Sequence, residues 1–265
     1  FIESSLDVGT KIFDYEVLPL SFSRGCRFRC RFCTYPLIGR KPTDNYIRSE
    51  ESIYKELMHN YENFKTTTYL VTDDTFNEST DKLKRVKRAI DKTGLDIKFW
   101  AYIRIELLER FPEQITILKD MGLCSVYFGI ESLYDPAGKA IGKGLGRERI
   151  LKTLVKVREV WGEDCRLHGS FIIGLPYETK ETATEWTQML IKRETPLDSI
   201  SVSALLLVPT NKPDIFVKHI RLHYSVFELE SEKYGYRSLP DGGDLITDDL
   251  WYNDHWTKSE ATEFA

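Results

Sequence analysis

Apolar positions along this chain fall into two alternating rhythms. Short stretches in which apolar and aromatic residues follow one another closely recur at 15–22, 67–74, 97–104, 124–131, 165–174 and 198–208. Each has the length and β-branched or aromatic content of a strand. Between them the apolar residues switch to helical spacing. In 49–64 they are Ile53, Leu57, Tyr61 and Phe64, and in 79–94 they are Leu83, Val86 and Ile90. The segments 112–122, 146–162 and 178–193 complete the set. Helix punctuation agrees with this reading: Ser49 stands where an N-cap is wanted, Gly94 and Gly122 close two helices, and Pro112 opens one.

Six strands with five intervening helices predict an α/β fold with a parallel sheet and helices outside it. Several strands are nearly unbroken apolar runs, as covered strands are. The rhythm stops after Pro209. The stretch 209–216 carries two prolines, and 235–256 is rich in Gly, Asp and aromatic residues. The expected organisation is therefore an α/β unit over 1–209 and a C-terminal extension over 210–265. The extension is expected to be irregular, with a short helix near 218–233 at most, and to cover or complete the site.

Composition narrows the classes. The chain has 265 residues, 42% of them hydrophobic, and a formal net charge of −4. That supports a full core, and nucleic acid is not indicated, since a dedicated binder usually carries a basic face. No apolar run has the length of a membrane span, so no membrane association is expected. There is no secretory leader pattern, and the chain opens on Phe1 without Met, as a piece of a longer protein would.

Five cysteines change the picture most. Cys26, Cys30 and Cys33 crowd into eight positions directly after the first predicted strand, while Cys124 and Cys165 begin the fourth and fifth. An odd, clustered set is a poor disulfide framework. Reduced thiols of a cytoplasmic chain holding metal are the better reading. A structural zinc site wants four protein ligands, whereas three cysteines on a [4Fe–4S] cluster leave one iron open for a ligand. The loop lies at the C-terminal edge of the predicted sheet, where parallel α/β folds assemble their sites.

The stretch "CRFRCRFC" (26–33) resembles the signature of the radical S-adenosylmethionine (radical SAM) superfamily, including the aromatic residue, Phe32, before the third cysteine. Four other segments resemble the family at strand ends: "VTDDTF" (71–76), "YIRIELL" (102–108), "FGIES" (128–132) and "FIIGLP" (171–176). The resemblance covers roughly 15–208 and implies a partial (β/α)6 TIM-type barrel. It also implies a [4Fe–4S] cluster on Cys26, Cys30 and Cys33, with SAM chelating the open iron. Reductive cleavage of SAM then yields a 5′-deoxyadenosyl radical that takes hydrogen from a substrate.

In that frame Phe32 offers an apolar face to adenine. Asp73 and Asp74 are the acceptors for the SAM ammonium; strand alternation turns them to opposite faces, so the pair is taken jointly. Arg104 is a partner for the SAM carboxylate, or else forms an ion pair with Glu106 or Glu109. Glu131 is a ligand for the ribose or the ammonium, or else a solvated strand end. Gly174 and Pro176 shape a turn that brings backbone close to the ligand, or simply a tight turn. Arg24, Arg27, Arg29 and Arg31 either offset the cluster's charge and steer an acidic donor of the flavodoxin or ferredoxin type, or are a solvated loop face. Cys124 and Cys165 read as small core residues, with hydrogen-atom donation as a second reading. His168 and His219 show no partner in the sequence and are taken as structural.

The Asp-Asp-Thr-Phe segment and "LWYNDHW" (250–256) are similar to proteins that carry a cobalamin-binding domain, so cobalamin enters if such a domain lies upstream. The candidate reactions are methylation and modification of a peptide or small molecule, such as epimerisation. Sulfur insertion usually needs a second cluster, and no second three-cysteine group is present. The alternative from another class is a non-catalytic iron–sulfur or zinc-binding module.

Overall fold

The computed structural model describes residues 11–12, 15–33, 47–207, 225–238 and 250–265. Strands β1 (Lys11–Ile12) and β2 (Tyr15–Glu16) form a small antiparallel pair, and β3 (Leu18–Leu20) opens the main sheet. Helix α1 (Glu50–Phe64), β4 (Thr68–Val71), α2 (Thr80–Thr93) and β5 (Lys98–Ile103) follow. Two helices, α3 (Ile105–Arg110) and α4 (Glu113–Asp120), lead to β6 (Leu123–Glu131). Then come α5 (Asp135–Ala140), α6 (Arg147–Trp161), β7 (Arg166–Ile173), α7 (Lys180–Ile191) and β8 (Ser199–Ala204).

The six strands β3 to β8 pair in sequence order and all in parallel. With β3 and β8 as its two edges, the sheet is open. Its helices lie on one face. Tyr69 and Val71, Phe99 and Ala101, Val126 and Phe128, and Leu167 and Phe171 share a single core with Leu57, Leu83, Leu118, Leu154 and Trp186 from the helices. The alternate residues, Tyr102, Tyr127 and His168 among them, face the other side and are half-buried or exposed. Helices on one face only are the mark of a barrel-type wall rather than of a doubly wound sheet.

Helix ends follow the chemistry that the sequence shows. Ser49 and Ser79 cap α1 and α2 by accepting from Ser52 N and Lys82 N, and Gly94 closes α2 in the left-handed region at φ 67°. The two helices between strands that the pattern does not predict have a physical excuse. Neither α3 nor α5 has a side-chain N-cap, each is six residues long, and α5 reads "DPAGKA", which looks like a turn. The predicted first strand, 15–22, is divided between β2, which pairs with β1, and β3, which pairs with β4, and it stops at Leu20, beyond which Phe22 and Ser23 direct their N–H groups to a side chain instead of a neighbouring strand.

The extension departs from expectation. Its described parts contain a helix, α8 (Val226–Leu229), a 3-10 turn (Ser231–Tyr234), paired strands β9 (Arg237–Ser238) and β10 (Trp251–Tyr252), and a terminal helix α9 (Lys258–Phe264). Only 226–229 of the expected 218–233 helix is α-helical within the described residues, and His219 lies outside them. Three aromatic residues nail this segment to the sheet's end, and each satisfies a backbone carbonyl there. Trp251 Nε1 donates to Leu205 O at 2.9 Å, Tyr236 OH to Gly174 O at 2.6 Å, and Trp256 Nε1 to Glu178 O at 2.9 Å.

Beneath that seal sits Glu178, fully buried. Its carboxylate accepts from Gly174 N at 2.8 Å and Trp186 Nε1 at 2.9 Å, yet burial outweighs those bonds and pushes its pKa up to about 7. A carboxyl whose pKa is raised on folding contributes stability that is full below its unfolded value near 4.5 and is lost as pH rises through 7. We expect the loss to be on the order of 3 kcal/mol. Glu178→Gln leaves an amide facing two donors, so it lowers stability at pH 5. Its deficit relative to the parent chain should shrink as pH passes 7, which thermal unfolding from pH 5 to 8 will read.

Candidate functional site

The site grows from the C-terminal rim of the sheet. Leaving β3, the chain is clamped by Asp73, which is 1% exposed. Asp73 Oδ1 accepts from Phe22 N at 2.8 Å and Ser23 N at 3.1 Å, while Oδ2 accepts from Ser23 Oγ at 2.8 Å. Lys82 Nζ, on α2, reaches Oδ2 at 2.6 Å with both side chains wholly buried. Two buried charges are tolerable here because each is paired and hydrogen-bonded. Asp73, one of the two candidates for the SAM ammonium, thus has its oxygens engaged in holding the base of the cysteine loop. Asp74, half-buried, is the remaining member of the pair.

On that base the loop presents its thiols. None of the five cysteines is in a disulfide. Cys26 Sγ lies 3.4 Å from Thr75 Oγ1 and accepts from Phe28 N at 3.5 Å. Cys30 Sγ accepts from Arg104 Nη1 at 2.9 Å, and Cys33 N donates to Cys30 O at 3.1 Å, closing a turn between the second and third cysteines. Arg31 N donates to Ile141 O at 3.0 Å and Arg31 O accepts from Phe227 N at 2.8 Å. Its side chain bonds Tyr234 OH. The loop is thus held from below by β4 and α2, from one side by the end of α5, and from another by the extension.

Beside it lies a buried ionic group that the sequence reading only half anticipated. Arg104 follows β5 as the N-cap of α3, Glu106 lies in the first turn of α3, Glu131 ends β6, and Lys143 follows α5. Arg104 Nη2 pairs with Glu106 Oε1 at 3.0 Å, and Lys143 Nζ lies 3.4 Å from the same oxygen. Arg104 also stacks on Phe28, 4.3 Å from the ring centroid. Burial opposes the charge on Arg104, but Glu106, Cys30 and Cys26 outweigh it and hold the guanidinium pKa above its ordinary value. Glu109, the other anticipated partner, pairs instead with Arg149.

Glu131 is 9% exposed and adopts φ 70°, a conformation that residues other than Gly, Asn and Asp rarely take. The β6–β7 register shifts between Gly129 and Glu131, and the side chain folds back over Gly129, where an added Cβ would meet Glu131 Oε1 at 2.6 Å. Strand strain and a glycine together aim this carboxylate at the rim, so it is no solvated strand end. Burial raises its pKa, Lys143 and Arg104 oppose the rise, and Glu106 adds to it. Two buried polar atoms in this group carry no hydrogen bond, Arg104 Nε and Glu106 Oε2. An unmet donor and an unmet acceptor side by side suit a ligand bearing both a carboxylate and an ammonium.

A single metal ion fits the donors poorly. Zinc needs its ligands about 2.3 Å from one point, and among the described residues no three His, Cys, Asp or Glu side chains are gathered that way. An iron–sulfur cube instead gives each thiolate its own iron, and the three cysteines on one turn-containing loop suit that demand.

A model of the radical SAM superfamily matches residues 20–190, most of the chain. The chain belongs to the radical SAM superfamily. That family uses a [4Fe–4S] cluster and SAM. An uncharacterized methyltransferase of Pyrococcus horikoshii is 35% identical over 164 residues, 60% of this chain and 33% of that protein. The hopanoid C-2 methylase of Rhodopseudomonas palustris is 24% identical over 193 residues, 71% of this chain and 36% of that protein. Among solved structures, the radical SAM methyltransferase TsrM of Kitasatospora setae, with cobalamin and a [4Fe–4S] cluster bound, superposes with a TM-score of 0.62 at 18% identity. That match covers 86% of this chain and 43% of TsrM, and it shows a shared fold: the open sheet is the partial barrel of radical SAM proteins. The chain spans about a third of the length of the curated relatives it matches.

With the radical SAM frame established, the other candidates can be placed. Phe32 is half-buried against the core beside the loop. Gly174 sits at φ 83°, and the group packed against its missing side chain is internal, since an added Cβ would lie 2.6 Å from Trp251. Pro176 is buried. The loop arginines Arg24, Arg27, Arg29 and Arg31 are exposed. Cys124 and Cys165 stand at the N-terminal ends of β6 and β7. Seven residues of strand, about 23 Å, separate Cys124 from Glu131, so neither thiol meets a substrate at the cysteine loop. Burial raises both thiol pKa values, that of Cys165 to about 12.

His168 has partners after all: its Nδ1 lies 2.8 Å from Ser199 Oγ and its Nε2 3.0 Å from Ser201 Oγ. It stacks on Tyr127 at 4.6 Å, and Tyr127 lies 5.1 Å from Tyr102. These three rings pave the helix-free face of the sheet. Register, not sequence proximity, brings them together.

Proposed function

We propose that this chain is the SAM-cleaving unit of a radical SAM methyltransferase. Cys26, Cys30 and Cys33 hold a [4Fe–4S] cluster, and SAM binds the open iron beside Asp74, Arg104, Glu106, Glu131 and Lys143. The cluster, once reduced, supplies the electron that cleaves SAM to a 5′-deoxyadenosyl radical. The protein's share is to bind, orient and shield. The observation that carries the reading is the buried group at the thiol loop, where Arg104 touches Cys30 while Arg104 Nε and Glu106 Oε2 remain unmet.

Arg104 Nε suits the SAM carboxylate, the carboxylates of Asp74 and Glu106 suit its ammonium, and the Glu131 carboxylate suits ribose hydroxyls. Phe32 offers the adenine an apolar face, and Gly174 and Pro176 act at one remove, by seating the extension. The substrate, a small molecule or a peptide, lies on the floor of Tyr102, Tyr127 and His168. The extension, 210–265, closes the loop side of the site through Phe227 and Tyr234. Electrons come from a flavodoxin or ferredoxin-type protein in the cytoplasm, and cobalamin takes part if a domain for it lies upstream. Among the described residues no helix is long and apolar enough to cross a membrane.

The test is direct. Protein reconstituted anaerobically with iron and sulfide, then given dithionite and SAM, should release 5′-deoxyadenosine. Cluster assembly with no cleavage would instead support a non-catalytic iron–sulfur module.

A further inference from the structure

We propose that Arg104 is the positioning residue that sets the reduction potential of the cluster, a role that the arginines interleaved with the cysteines do not fill. The inference rests on the cluster assignment above and extends it. Three observations carry it. First, Arg104 Nη1 donates to Cys30 Sγ at 2.9 Å. Hydrogen bonds to the sulfurs and local charge are among the levers that move an iron–sulfur potential. Second, the guanidinium is held in place from several directions. Its Nη2 is on Glu106 at 3.0 Å, its face is on Phe28, and its side chain is only 13% exposed. Its backbone is fixed as well: Arg104 N donates to Asn77 Oδ1 at 2.9 Å, and Asn77 Nδ2 donates to Arg104 O at 3.0 Å. Third, Arg24, Arg27, Arg29 and Arg31 are exposed, so solvent and salt screen them.

The electrostatic direction is fixed. Reduction adds one electron to a cluster already carrying three thiolates. A cation in contact with one sulfur, in a medium of low dielectric, stabilises the reduced state and raises the potential. Glu106 works against it, because it neutralises part of the charge on both Arg104 and Lys143.

The experiment is an EPR-monitored reductive titration of the full chain, anaerobically reconstituted, with dithionite as the electron source. Arg104→Met should make reduction at least about tenfold less favourable, a midpoint about 59 mV more negative for a one-electron couple. Arg104→Lys, which keeps the charge without the planar fork, should recover part of that shift. Glu106→Gln should move the midpoint the other way, and Arg27→Ala should move it less than Arg104→Met does. An Arg104→Met protein with parental iron content and a parental midpoint overturns the proposal, as does a shift no larger than that of Arg27→Ala. Should Arg104→Met not retain a cluster, Glu106→Gln decides: no positive shift overturns the proposal. A parental chain that assembles no iron cluster overturns the function proposed above and this inference together, whereas a normal parental cluster with unshifted variants removes this inference alone.

Discussion

Cys30→Ala, reconstituted anaerobically beside the parent chain, is expected to lose the iron–sulfur absorption and to release 5′-deoxyadenosine more than 100-fold more slowly. Groups that merely support a metal ligand are worth about 10–100-fold in affinity or activity, so removal of a ligand should exceed that range. Cys30 is the most telling of the three because it is the sulfur that Arg104 touches. Its loss removes an iron ligand and leaves the guanidinium without its sulfur acceptor, and Arg104 Nε has no partner to begin with. Cys26→Ala and Cys33→Ala should behave alike. Cys124→Ala and Cys165→Ala should retain the cluster, because their thiols lie at the opposite end of the sheet and carry raised pKa values. Iron and sulfide analysis with a product assay checks all five, and a Cys30→Ala protein with four irons and normal cleavage would refute the ligand assignment.

Asp73→Ala and Asp74→Ala should separate stability from binding although the two residues are neighbours. Removing the Asp73 carboxylate takes from buried Lys82 its nearer carboxylate partner, leaving Glu78 at 3.3 Å, and strips acceptors from Phe22 N, Ser23 N and Ser23 Oγ. Breaking a buried pair in this way costs about 3–5 kcal/mol, which for a chain of this size lowers Tm by about 10 °C. Asp74→Ala should lower Tm less than Asp73→Ala does, because Asp74 is only half-buried whereas Asp73 is 1% exposed. Loss of one charge-assisted hydrogen bond, about 1.5–3 kcal/mol, should weaken SAM binding roughly 10- to 100-fold. Thermal unfolding and equilibrium SAM binding give the two readouts. Equal Tm losses in the two variants would show that the pair is not divided as the structure divides it.

That division illustrates where reading a sequence stops. Strand alternation says that Asp73 and Asp74 point to opposite faces, but which face is the core depends on where α2 lies, and Lys82 reveals that only when it reaches across. A lysine in the middle of "STDKLKRVKRAIDKTG" looks like one of many solvated cations, and nothing local marks it as wholly buried. Lys143 and Phe28 were passed over for the same reason. Both sit in loops, and each matters because a residue far along the chain, Glu106 or Arg104, comes to meet it.

Gly174 teaches the converse. A glycine at the end of the fifth predicted strand reads as a place where backbone comes close to a ligand, or as a tight turn. Its visitor is Trp251, a residue of the very extension that composition had written down as irregular. The aromatic residues in that stretch were the available signal, since Trp and Tyr carry a large apolar body that has to be covered and a polar tip that has to be bonded.

Local chemistry and periodicity determined the strand–helix alternation, the caps at Ser49 and Ser79, the stop at Gly94 and the three-thiol loop, because each depends on neighbours a few residues away. Tertiary structure alone decided which aspartate is buried, which arginine touches a thiolate, that Glu131 is turned back at positive φ, and that Tyr102, Tyr127 and His168 form one surface. Those outcomes depend on register and packing between segments distant in the chain, and no local pattern encodes the distance between two side chains that meet only once the strands have paired and the helices have packed.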